Sequence, residues 1–548
     1  MIKGIYSLFF GVFFVLAFSK LGFAQDFNDV AENMVDSTES LPGLIAALSY
    51  LSGLIVAVTA IFKLVDHVNN PSQTPLSVPV IRFLITGALF GLPIIAEAAW
   101  TTINGGAATN FDPESNSATN PMNVFFGAPA LVSIAATLDT NFNALLGHFL
   151  SAVDEIPGLV AAVGYMLGLV IMVSALYKTR DHVENPTQVP LKDAVIRYIT
   201  AGALFALPTV FEAMHNTISE SGLGLWGTII SVAGGLSFFY STETTTPECL
   251  AAMIGVGTTL GDVICNSMVN SFGLPVFLNM TSYLLGTVFG VWGVLKIRDH
   301  VLEPAKIALH EGVSRLIAGG CFFSLPYLIT VFKTSFLSVG LSGAALLVTN
   351  TTFHTNVTAA TCTTTNSLDE AMGCFMRDIL GPAHVVLNFF SFVAGMIFVM
   401  IGISRLIKTS QEGARGPGGM GTFGTFVIGG ILISATTIMR AFSSSFFDST
   451  VTYTFATLQY TGGMAAAETQ AAYNVIAAVL QFLIVLGMIS FVRGLFIMRD
   501  VAEGKGNAST MAGMTHLIGG ALAVNMGPLL NAIQQTLGIS AFGVSFGL

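Results

Sequence analysis

The sequence predicts an all-α membrane protein of five tandem two-helix transmembrane hairpins, about ten spans, joined by extracytoplasmic segments that carry amphipathic helices. Composition identifies the solvent. Of 548 residues, 53% are hydrophobic and 9% charged, with a mean hydropathy of +0.75, whereas soluble domains carry about 25% charged residues. Internal repetition identifies the unit. Tyr50-Leu51-Ser52-Gly53 is followed thirteen residues after the glycine by Asp66-His67-Val68, then Asn70-Pro71. Gly168 stands at the same distance from Asp181-His182 with Asn185-Pro186, and Gly286 from Asp299-His300 with Glu303-Pro304. Two degenerate copies follow, Gly395 with Lys408 in the aspartate's place and Gly487 with Asp500. The glycines lie 115, 118, 109 and 92 residues apart, so each unit is a small domain in itself.

Charge supplies the orientation. Of 21 Lys and Arg, 16 sit in or beside the five short hairpins: Lys63 and Arg82; Lys178, Arg180, Lys192 and Arg197; Lys296, Arg298, Lys306 and Arg315; Arg405, Lys408 and Arg415; Arg493, Arg499 and Lys505. Lys3 and Lys20 belong to the N-terminal leader, which leaves Lys333, Arg377 and Arg440 elsewhere. The positive-inside rule makes every hairpin cytoplasmic. Of the acidic residues, 21 lie outside the hairpins, so the net charge of −10 hides two opposite faces and does not indicate nucleic-acid binding.

Residues 1–24 read as a signal peptide: Lys3, an apolar run, then Gly22 and Ala24 at the −3 and −1 positions of a cleavage site. An uncleaved anchor is the alternative, because Lys20 crowds that site. The repeats occupy 41–103, 156–218, 274–336, 383–445 and 474–537. Their first spans are 44–62, 159–177, 277–295, 386–403 and 475–492, close to the ~20 residues that cross ~30 Å of hydrocarbon. Their second spans are 83–100, 198–214, 316–332, 423–439 and 517–537, the last weakened by Asn525, Asn531, Gln534 and Gln535. Leu92-Pro93, Leu207-Pro208 and Leu325-Pro326 predict kinks in three of them. Mid-span Gly53, Gly168, Gly286, Gly395 and Gly487, with Gly87, Gly202 and Gly319 opposite, predict close helix approach. Glu97 and Glu212, past the first two prolines, are expected at the outer interface, because the third copy has Thr330.

Outside the spans, an apolar stripe from Leu138 to Val153 and another over Leu260, Val263, Ile264, Met268 and Val269 predict amphipathic helices. They stop at Pro157, Pro275 and Pro382, and lie on the outer membrane surface or pack on a neighbouring subunit. Residues 102–120 and 349–366 read as Ser/Thr/Asn-rich loops. Cys249 and Cys265 share one outer loop, and Cys362 and Cys374 the next. Each pair predicts a local disulfide, with free thiols as the alternative.

In the hairpins, Pro71, Pro186 and Pro304 end the first helix by pushing the preceding residue out of helical geometry. The Asp-His pairs Asp66-His67, Asp181-His182 and Asp299-His300 admit metal binding or proton relay. The structural reading is preferred, since Arg and Lys crowd the site and the fourth copy has lost both residues. No nucleophile–base arrangement, phosphate-binding glycine loop or nucleotide motif occurs, so neither an enzyme nor a cofactor is expected.

The Gly…Asp-His hairpin with Asn-Pro-Thr-Gln-Val-Pro at 185–190 and the following Leu-Pro span resembles small two-helix inner-membrane proteins of the Dot/Icm type IVB secretion apparatus and its conjugation relatives, the IcmD/DotP and IcmC/DotE type. The likeness covers the leader and three repeats; the five-fold fusion departs from those single-unit proteins. It implies a structural component of a secretion or conjugation channel in a bacterial inner membrane. The expected partners are other inner-membrane proteins of the machine, the lipid bilayer and a periplasmic protein met by the acidic loops. A transporter or ion channel, and a pilin-like scaffold, are the competing readings.

Overall fold

A computed structural model describes residues 41–71, 73–92, 142, 145–146, 156–207, 210, 259–271, 273–337, 367–412, 419–447, 455–459, 461–504, 508–539 and 543–547. The leader, Glu97, Glu212, Cys249, Cys362, Arg415, Lys505, the loops 102–120 and 349–366 and most of the 138–153 stripe lie outside them. The first helices in chain order are α1 (Leu41–Asn69), α2 (Ser77–Phe90), α3 (Ile156–Glu184), α4 (Leu191–Phe205), α5 (Leu260–Val269), α6 (Gly273–Leu302) and α7 (Leu309–Phe323). There follow α8 (Leu325–Leu337), α9 (Leu368–Glu412), α10 (Gly419–Ile433), α11 (Ala435–Phe447), strand β1 (Phe455–Leu458), α12 (Ala466–Ala502), α13 (Thr510–Val524), α14 (Met526–Thr536) and strand β2 (Val544–Gly547). One compact unit holds α1–α4, α6 from Met280 and α7; the other holds α5 and everything from α8 onward.

Among the described residues five segments are long and apolar enough to cross a membrane: Gly43–Asn69, Ala162–Glu184, Leu260–Leu302, Leu368–Ile407 and Ala466–Ala502. The bent pair α13–α14 would make a sixth. The chain is a multi-pass, predominantly helical membrane protein. Helices α1, α3 and α6 each end two residues before their proline, Pro71, Pro186 and Pro304, where the pre-proline residue is driven out of the helical region.

The second helix of each pair is shorter than the expected span. Helix α2 has 14 residues and α4, α7, α10 and α13 have 15, about 22 Å of rise against ~30 Å of hydrocarbon. Each ends at a break: Gly91 (φ −91°, ψ 16°), Ala206 (−103°, 33°), Ser324 (−95°, 18°), Ser434 and Asn525 (−107°, 35°). Those torsions lie near the bridge region, where helix propagation stops. In the first three copies the break falls just ahead of Leu-Pro. Pro326 then takes the second position of α8, a first-turn site that needs no backbone donor. Ser434 and Asn525 break the chain without that dipeptide, and α14 leaves α13 at 81°.

The glycines set the depth at which each pair meets. A methyl group on Gly53 would touch Phe90, on Gly168 Phe205 and the Ala201 carbonyl, and on Gly286 Phe323 and the Gly319 carbonyl. On Gly395 or Gly487 it would come within 2.7 Å of the Gly429 or Gly520 carbonyl. Backbone therefore lies on backbone, the contact that gains most where lipid supplies no hydrophobic drive. The expectation for the opposing glycines is corrected in part. Gly87 faces open space, because the touching position is one residue earlier along the second helix.

In the first unit Ile171, Leu204, Leu207, Leu89 and Phe323 form one apolar core. Helix α1 is only 28% buried, and Leu51, Leu54, Ile55 and Phe62 point outward, leaving lipid as their natural surroundings. In the second unit α9 is the central helix, 61% buried, packed among Leu432, Ile484, Met488 and Phe491.

Two features depart from the all-α expectation and from the predicted helix ends. Strands β1 and β2 pair antiparallel, Ala456 opposite Phe546 and Leu458 opposite Val544, and pack on Leu480 of α12. Pro382 does not end a helix but sits inside α9, while Pro157 and Pro275 fall in the first turns of α3 and α6. A proline at 382 cannot donate to the carbonyl of Asp378. Gly261 of α5 lies against that same carbonyl, and its N–H donates to the Asp378 carboxylate at 2.7 Å.

Candidate functional site

The tip between the paired helices is a polar structure that repeats among the described residues. His67 Nδ1 lies 2.7 Å from the Thr74 carbonyl, His182 Nδ1 2.6 Å from that of Val189 and His300 Nδ1 2.6 Å from that of Ile307. A carbonyl only accepts, so each Nδ1 carries the proton and each ring clasps the loop it begins. Inside the clasp, Asn70, Asn185 and Glu303 donate backbone N–H groups to the carbonyls of Asp66, Asp181 and Asp299. The histidine closes its turn onto the carbonyl seven residues ahead. Among the described residues no group of three or more His, Cys, Asp or Glu side chains is arranged to hold a metal.

The basic residues are engaged by nearby carboxylates. Asp66 pairs with Lys63 at 3.1 Å, Asp181 with Arg180 at 2.8 Å and Lys178 at 3.8 Å, and Asp299 with Arg298 at 2.6 Å. Glu311 takes Lys296 and Arg315, each at 3.6 Å. Arg315 is buried and lies 4.7 Å from the centre of the Trp292 ring. Arg197 instead donates to the Asp193 carbonyl at 2.8 Å. Among the described residues two ion pairs join successive repeats. Arg82 of α2 meets Glu184 at the end of α3 at 2.7 Å, and Arg405 of α9 meets Glu503 beside α12 at 3.0 Å, where Arg499 also binds. Lys192 is exposed, as are Pro71, Pro186 and Pro304. The tips are therefore ion-pair networks more than bare positive patches, and of these pairs the exposed Lys63–Asp66 contributes ~0–1 kcal/mol.

Charge counting overlooked the carboxylates Glu184, Glu311 and Glu503, because it scored sign and not reach. It also overlooked a regular ring pair. The rings of Tyr50 and Phe90 lie 5.9 Å apart, those of Tyr165 and Phe205 5.3 Å, and those of Tyr283 and Phe323 6.2 Å. The signal was present, since each pair is forty residues apart, as a tip of fixed length demands.

At the breaks the chain is buried and polar. Ser282 donates to the Phe322 carbonyl at 2.5 Å, two residues ahead of the Ser324 break. Asn525 donates to Ser443 at 2.6 Å and to the Ala521 carbonyl at 2.8 Å. Beyond that break the amides that weakened the tenth span act on β2. Asn531 exchanges two hydrogen bonds with the backbone of Phe546, and Gln534 two with Val544. Of the cysteines, Cys321 is a half-buried free thiol in α7. Cys265 and Cys374, in α5 and α9, are not free thiols; their expected partners Cys249 and Cys362 lie outside the described residues. Comparisons with protein-family models, curated proteins and solved structures return no match.

Proposed function

We propose that this protein is a structural inner-membrane component of a type IVB secretion or conjugal transfer apparatus and has no catalytic role. In this reading its five hairpins cross the bacterial inner membrane about ten times, with the tips cytoplasmic and the long segments periplasmic. The carrying observation is the hairpin motif, built alike in three copies, each with a histidine clasping its own loop. That is architecture for presenting a tip, and the same motif carries the resemblance to the two-helix Dot/Icm proteins. The pairing of β1 with β2 supports a tenth crossing, because it returns the chain end to the side on which α12 begins. Disulfides Cys249–Cys265 and Cys362–Cys374 would brace the periplasmic segments. The test is a clean deletion. Loss of effector or DNA transfer with other membrane functions intact supports the reading.

One observation favours the competing channel or transporter class. Helices interrupted within the bilayer, with polar groups at the break, are a transporter device, and α13–α14 with Asn525 has that form. A deletion that spares transfer but abolishes uptake of a solute or an ion current would select this class.

A further inference from the structure

We propose that the outer end of α9 is a docking rail for a periplasmic protein that presents an apolar helix face flanked by Lys or Arg. The inference rests on the orientation proposed above and names the partner's chemistry. Helix α9 runs unbroken for 45 residues, through Pro382, about 68 Å of rise against ~30 Å of hydrocarbon. Asp369, Glu370, Arg377 and Asp378 crowd its first turns, which keeps that end out of the lipid core. Along it, Leu368, Met372 and Phe375 are 79%, 39% and 54% exposed and recur at i, i+4 and i+7, one face of a helix. Helix α5 packs on a different face, through Gly261 and Asp378, and turns its own Leu260 and Val263 outward. The stripe is thus an apolar face on a rigid element projecting from the membrane.

Charge selects the occupant. On a helical wheel Asp369 and Asp378 lie to either side of the stripe, and both are held in place: Asp369 accepts from Asn474 of α12 at 2.9 Å, Asp378 from Gly261 at 2.7 Å. The segments outside the hairpins carry 21 acidic and, without the leader, three basic residues, so a second copy would bring like charge to the same place. A basic-flanked apolar helix is the complement, in the helix-on-groove mode.

The test uses the full chain in nanodiscs of phosphatidylcholine and two labelled peptides, amphipathic helices made of Leu with Lys or of Leu with Glu. The Leu/Lys peptide should bind, more weakly as salt rises, and the triple variant L368S/M372S/F375S should weaken binding about tenfold or more. Since all three side chains are exposed, the variant should melt like the parent. Equal binding of the two peptides, or an unchanged affinity in the variant, would overturn the proposal. So would efficient disulfide cross-linking of two F375C chains, which would assign the face to a second copy, or quenching of a fluorophore at residue 375 by lipid-borne quenchers, which would assign it to the membrane. A separate outcome concerns orientation. If F375C is labelled by an impermeant reagent only from the cytoplasmic side, the orientation fails while the peptide result stands.

Discussion

At the residue scale the glycines and histidines act by steric fit and by geometry. Gly395 and Gly487 leave room for a carbonyl of the partner helix, and any Cβ would come within 2.7 Å of it. Gly395→Ala and Gly487→Ala should each cost ~1–3 kcal/mol through overpacking, read as a lower melting temperature in mild detergent. Gly87→Ala, facing open space, should stay within about 1 kcal/mol of the parent. Equal effects at the three positions would mean that these helices do not meet where the glycines lie. His182→Ala removes one clasp on the Val189 carbonyl, at ~1 kcal/mol. It should raise amide exchange at 185–189 without changing the number of bound metal ions measured by elemental analysis. The glycine positions were legible because small residues recur at one offset. The opposing contact reads correctly at Gly319 but falls one residue early at Ala201 in place of Gly202, because the second copy carries alanine at the facing position and glycine only after it.

At the element scale the first helices could be read from the sequence, and the second only in part, where Leu-Pro marks three of their five breaks. A run of apolar residues ending before proline defines α1, α3 and α6 through steric exclusion alone. The second stretches are equally apolar, but their breaks depend on groups far away in sequence, such as Ser443 beside Asn525 and Ser282 beside the Phe322 carbonyl. Periodicity carries no record of such partners. Asn531 and Gln534 looked like defects in a span because the strand they hold, β2, has only four residues. Asn525→Leu should therefore destabilise the second unit by ~1–3 kcal/mol by removing the buried bonds that its amide makes to Ser443 and to the Ala521 carbonyl. A chain ending at Ile539 should lose comparable stability by orphaning two amides. Retention of the parent melting curve by both variants would show that the break and the strand are independent of the core.

At the scale of the whole molecule the prediction concerns sides. Cysteines placed at Gln188 in a tip and Gln459 beside β1, both exposed, should be labelled by a membrane-impermeant reagent from opposite sides. Equal labelling of the two in intact spheroplasts would remove the map on which the proposed function stands. Replacing Lys178, Arg180, Lys192 and Arg197 together by Gln should weaken transfer while most of the protein stays in the membrane, since twelve other hairpin charges remain. Because Asp181 then loses Lys178 and Arg180 while Glu184 keeps Arg82, adding D181N separates a disrupted tip from a lost binding surface: recovery of transfer points to the former.

Helix α9 has one end among the ion pairs of the tips, where Arg405 grips Glu503, and the other beyond the opposite interface, beside α5. No break interrupts it, in contrast to every second helix. A turn of this rod about its axis at one end is passed toward the other through continuous helix, softened only at Pro382, where one backbone bond is missing. If the tips are pushed or released by machinery on their side, Phe375 is re-aimed on the far side, so α9 can work as a drive shaft through the membrane.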